Sequence, residues 1–231
     1  MRQKWRKEQI AALLVRLEAA YGQPTFLPVF HALDELVSCI LSQHTSDRTS
    51  YPAFVKLRRE LPTWAAVLDA GAERLADVIR GAGLANNKSK AICGCLAEIH
   101  RRNGDFTLEP LRSMPLLEAR SWLASLPGVG LKTASIVLCF SFGKGATPVD
   151  THVFRVGCRL GFLDEKAGEK KAHDVLLAIV PEPLAARFHV ALLAHGRAIC
   201  RAPKPNCEIC PLTDCCRYYK LQSRVLAKKG K

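Results

Sequence analysis

From Trp64 to Ile199 the apolar residues of this chain fall three and four apart almost without a break. That spacing lays an apolar stripe along a helix, and the alternation of a half-buried strand is absent. The period predicts helices over 64–80, 87–102, 117–126, 131–142, 151–160, 172–180 and 184–199. Thr63 is the expected N-cap of the first, and Gly81 and Gly83 lie just past its end. Near the start, Ile10, Leu13, Leu14 and Leu17 share one face of a further amphipathic helix. The chain reads as all-α, with at least eight helices and no internal repeat. Arg224 to Lys231 reads as a frayed basic tail.

Cys200, Cys207, Cys210 and Cys216 close a loop with the spacing C-x6-C-x2-C-x5-C. Four soft sulfur donors crowded in this way suit zinc or an iron–sulfur cluster. Cys215 adjoins the fourth donor, and spacing does not choose between the two. The apolar run from Ile10 to Val15 is too short for a signal peptide, and no stretch approaches a membrane span. A cytoplasmic, reducing setting is therefore expected, in which clustered cysteines ligate metal. Cys39, Cys93, Cys95, Cys139 and Cys158 fall in apolar helical runs and read as small core residues. No two histidines have H-x3-H spacing, so a catalytic zinc is not expected, and His152 and His195 read as core or hydrogen-bonding residues. The formal net charge is +13, which points to a polyanion, nucleic acid foremost.

Leu126-Pro127-Gly128-Val129-Gly130-Leu131-Lys132-Thr133-Ala134 forms a break between two helical runs. Pro127 disfavours helix at Leu126, and Gly128 and Gly130 tolerate positive φ. A glycine turn at a helix start can hold a phosphate, or can simply join two helices. Lys132 lies in the first turn of the second helix, and reads either as a plain solvated lysine or as an amine that the dipole helps keep neutral and nucleophilic. Asp150 closes a glycine- and proline-rich loop at another helix start. It reads either as a plain N-cap or as a carboxylate held ionised to take a proton or face a developing cation.

LPGVGLKTA, PVDTHVFRV and HGRAIC with its four-cysteine loop together resemble the helix-hairpin-helix/Gly-Pro-Asp DNA glycosylases, in particular the endonuclease III branch, from about residue 28 to 219. The resemblance implies a six-helix barrel over 27–144 that contains the hairpin. It also implies a cluster domain from 1–26 and 145–231, with the active site in the cleft between the two. It makes Cys200, Cys207, Cys210 and Cys216 ligands of a 4Fe–4S cluster, with zinc as the alternative. Lys132 resembles the family's nucleophile and Asp150 its essential carboxylate. The expected partner is double-stranded DNA with a damaged base or an abasic site, bound by a monomer in a prokaryotic cytoplasm, near the nucleoid. The expected reaction is excision of an oxidised pyrimidine, followed by strand cleavage through a lysine Schiff base. Alternatives are a damage-binding protein with weak or lost catalysis and a thymine or uracil mismatch glycosylase.

The same resemblance places Leu84 where the family inserts a leucine into the base stack. Gln43 and His44 stand where a glutamine meets the opposite strand, His44 at the aligned position. Cys39 stands near the place of the catalytic glutamate of the adenine-removing branch, which argues against adenine excision. Gly128, Val129 and Gly130 are expected at DNA through the hairpin, and Arg201 and Lys204 through the cysteine loop.

Overall fold

The computed structural model describes residues 5–24 and 31–229. The expected domain edge at 26–27 and the last two residues of the expected tail lie outside them. Among the described residues there is no strand, and the chain is all helical. Among the described residues no helix is long and apolar enough to cross a membrane.

The chain divides into two compact units, one of residues 28–142 and one of 1–27 with 143–231. The first holds α2 (Ala32–Ser42), α3 (Asp47–Glu60), α4 (Trp64–Val78), α5 (Ala85–Asn103), α6 (Leu116–Ala124) and α7 (Leu131–Ile136). Its core includes Leu36, Ile40 and Leu41 from α2, Leu57 from α3, Leu75 from α4, and Ile92 and Leu96 from α5, all with essentially no exposed surface. Thr63 caps α4, its Oγ1 accepting from the Ala66 N–H at 3.1 Å. The predicted single helix over 64–80 is interrupted inside by Gly71, whose φ of 73° no helix contains. The predicted helix over 131–142 is α-helical only to Ile136 and then widens into a π turn over Val137–Ser141. Helix α3 was not legible in the period, because Pro52 sits inside it and its first turn is polar.

The second unit holds α1 (Lys7–Tyr21), α8 (Thr151–Leu160), α9 (Gly168–Ile179), α10 (Ala185–Ala198) and α11 (Arg217–Lys229). Ile10, Leu13, Leu14 and Leu17 of α1 are buried in one cluster with Val153 and Val156 of α8, Leu176 of α9, and Phe188 and Leu192 of α10. Trp5 meets the edge of Phe162 with ring centres 5.6 Å apart. Glu18 and Arg187 join α1 to α10 through two parallel bonds of 2.7 and 2.6 Å. The fork geometry and the burial of Glu18 make this pair worth more than a surface salt bridge. Helix α11 runs on through Lys229, which corrects the frayed tail expected from Arg224.

Candidate active site and metal centre

Within the 28–142 unit, the turn between α6 and α7 presses its backbone onto α5. Gly128 has φ of 74°, and a Cβ there would lie 2.6 Å from the Ala91 Cβ. Gly130 differs from expectation: its φ is −95°, an extended value open to any residue, and nothing lies near its Cβ position. The Val129 side chain is buried and its N–H donates to the Leu126 carbonyl at 3.1 Å. Of the three hairpin residues expected at DNA, Val129 thus has its side chain in the core, and Gly128 and Gly130 are exposed. Lys132 follows at the second position of α7 with its side chain exposed.

Gln43 and His44 follow α2 directly, and they face different tasks. The Gln43 amide donates to the Gly128 carbonyl at 2.8 Å, which ties it to the hairpin. His44 is exposed, with φ of 55°. Leu84 is likewise exposed at 57% and has φ of 49°. Between these loops lies a residue that sequence reasoning passed over. Lys88 is 4% exposed, and its ammonium donates to the carbonyls of Leu41 at 2.6 Å and Ala82 at 2.8 Å. Burial lowers its pKa from the ordinary lysine value. Lysines at helix starts are expected in solvent, so composition and period gave no sign of it.

In the other unit Asp150 caps α8, with Oδ1 accepting from the Val153 N–H at 2.7 Å. The N-cap reading of Asp150 is thus realised by one oxygen of the carboxylate. Two buried histidines hold the backbone just before it. The Nδ1–H of His189 donates to the Pro148 carbonyl at 3.0 Å. The Nε2 of His173 accepts from the Val149 N–H at 3.3 Å, and its Nδ1–H donates to the Glu169 carbonyl at 3.0 Å. These partners assign the Nδ1–H tautomer to His173 and put a proton on Nδ1 of His189. Both histidines escaped the sequence reading because they sit singly in apolar helical stretches.

Cys200, Cys207, Cys210 and Cys216 line one cavity, shared with Leu160, Leu212 and other apolar side chains. Cys215 is not in that lining; its thiol donates to the Leu212 carbonyl at 3.3 Å and accepts from Arg16 at 3.9 Å. Burial pushes up the thiols of Cys207 and Cys216, and that of Cys210 to about 11, and the neighbouring sulfurs add to it. Such a set becomes thiolate only with added positive charge, which is what a bound metal supplies. Among the described residues no three His, Cys, Asp or Glu side chains are placed to hold a single ion. Arg159 braces the loop, donating to the Cys200 sulfur at 3.3 Å and to the carbonyls of Arg201 at 2.7 Å and Ala202 at 2.8 Å. His195 is buried, 2.8 Å from the Tyr21 hydroxyl and 3.8 Å from the Cys210 sulfur, and burial lowers its pKa to about 4. His152 lies 3.1 Å from the Arg155 guanidinium. Arg201 and Lys204 are exposed, and Arg201 Nε donates to the Ala198 carbonyl at 3.2 Å. Of the five other cysteines, Cys39, Cys95 and Cys139 are buried, and Cys93 and Cys158 are half-buried.

The HhH-GPD superfamily of base excision DNA repair proteins matches this chain over residues 37–182. Endonuclease III of Escherichia coli (strain K12) is 36% identical over 210 residues, which cover 89% of this chain and 93% of that one. A non-covalent endonuclease III–DNA complex and a trapped endonuclease III–DNA covalent intermediate are each 29% identical to it. They align over 94% of this chain and 98% of theirs, with TM-scores of 0.78 and 0.79. The chain belongs to the HhH-GPD superfamily of base excision DNA repair proteins. It has the endonuclease III-like fold and is a DNA repair enzyme, a DNA glycosylase.

Proposed function

We propose that this protein removes oxidised pyrimidines from double-stranded DNA and then cuts the strand, with Lys132 as nucleophile and Asp150 as its acid–base partner. The protein is a DNA glycosylase with associated AP lyase activity. The observation that carries the residue assignment is the amine of Lys132, exposed one residue into α7 behind the Gly128 turn. The damaged nucleotide must leave the stack before an amine can reach its sugar. The Lys132 amine then attacks C1′, and the bond from C1′ to the base breaks, its electron pair leaving with the base. Asp150 takes a proton from the amine or faces the positive charge on the sugar. The ring opens to a Schiff base, loss of a C2′ proton forms the new double bond, and the C3′–O bond breaks, nicking the strand 3′ to the lesion.

Cys200, Cys207, Cys210 and Cys216 fit a 4Fe–4S cluster, since four thiols line one cavity and Cys215 is turned away. When bound, the cluster would fix the loop that carries Arg201 and Lys204, whose exposed cationic side chains would then meet the phosphate backbone. Borohydride reduction during turnover of a thymine-glycol duplex tests the central step. Wild type should be trapped on DNA and Lys132→Gln should not. Trapping that survives the substitution removes Lys132 from this role. Tight binding by wild type with no cutting of any lesion would instead support a damage-binding protein.

A further inference from the structure

Among the described residues, His44 and Leu84 are the two non-glycine positions with positive φ. Both are exposed, and such backbone persists only where its surroundings over-determine it. The loops that carry them are neighbours, since a Cβ on Gly83 would stand 3.9 Å from the Thr45 hydroxyl. We propose that Lys88 is a positioning residue that joins the His44 loop and the Leu84 loop into one rigid pair of prongs for entering the duplex. The proposal rests on the DNA-glycosylase reading of those loops.

The geometry is that of a double cap. Leu41 lies in the last turn of α2, where unpaired carbonyls and the negative end of the dipole favour a cation. Ala82 closes the short turn Arg80–Ala82, two residues before Leu84. One ammonium bonds both carbonyls, so neither loop can shift without breaking a buried charged hydrogen bond. An apolar residue would bury at lower cost at this position, and what the lysine adds is the fixed distance between two backbones. Gln43 extends the tie to the hairpin through the Gly128 carbonyl.

The test uses full-length protein and a duplex with a tetrahydrofuran abasic analogue opposite 2-aminopurine, so that unstacking is read without chemistry. Lys88→Met and Leu84→Ala should each slow the fluorescence rise by about tenfold or more. The double variant should be no slower than the slower single one, because one acts through the other. Losses that multiply, or a Lys88→Met rise equal to wild type, would overturn the proposal. If Lys88→Met does not fold, hydrogen exchange of the wild type decides. Residues 42–45 and 81–84 should then open at one common rate, and independent rates would overturn the joint. Excision of thymine glycol by wild type is scored separately, and its failure would sink the assigned reaction without touching the unstacking result.

Discussion

The hairpin turn at 126–131 and the cysteine loop at 200–216 face the same difficulty, a functional loop with little core of its own. They solve it differently. The hairpin is fixed by ordinary packing: Gly128 against Ala91, the Val129 side chain in the core, and the Gln43 amide on a backbone carbonyl. The cysteine loop is braced by long cationic side chains from other elements. Arg159 holds it at 200–202, and Arg16 donates to the Pro211 carbonyl and pairs with Asp214 at 2.7 Å. Inside it, four thiols line a cavity. A loop built on packing should fail by overlap and strain. A loop built on thiols should fail when a donor is lost.

The largest expected effect follows from that difference. Metal-linked folding can reach on the order of 10 kcal/mol. With the proposed 4Fe–4S cluster as the loop's metal, Cys207→Ser should therefore remove the cluster's broad visible absorption and open 200–216 to proteolysis, and exchange protection of the hairpin should be unchanged. Cys215→Ser should leave the absorption intact; a colourless Cys215→Ser protein would reverse the assignment of the fourth donor. Gly128→Ala comes next, at about 2–4 kcal/mol, because it adds both strain and overlap. Calorimetry should show a Tm lowered by roughly 4–16 °C. Gly130→Ala, in open space at negative φ, should cost only the poorer N-cap of α7, about 1 kcal/mol or less.

Asp150 separates cap from chemistry. Asparagine caps as well as aspartate, so Asp150→Asn should keep the wild-type Tm, and Asp150→Ala should lose about 1 kcal/mol. Both should lose roughly 10²–10⁴-fold in single-turnover excision. The smallest effect belongs to Glu98, half-buried on α5 and held by Arg101 and Arg102, which lower its carboxyl from 4.5 to about 2. Its folded pKa lies below the unfolded one. The contribution is therefore full above pH 4.5 and fades as pH falls toward 2. Acid titration of Glu98→Gln should show a slightly shallower loss of stability over that window.

The sequence carried the helical class well where apolar period and caps agree. Thr63 caps α4 as expected, and α8 spans the predicted 151–160. Period fails where composition and geometry part. Pro52 and a polar first turn hid α3, and a basic, weakly apolar stretch hid α11. Chemistry-bearing side chains in motifs were legible because their types are unusual together. Lys88, His173 and His189 were not, since each works by bonding a distant backbone carbonyl or N–H. The burial of the Val129 side chain was not legible, because a motif position says nothing about which way its side chain turns.

Peptide mapping of the borohydride-reduced enzyme–DNA adduct tests the central claim most directly. After nuclease and protease digestion, the reduced sugar remnant should sit on the peptide containing Lys132, at its ε-nitrogen. A remnant on Lys88, on Lys204 or on the chain's amino terminus, or no covalent remnant at all, would contradict the account.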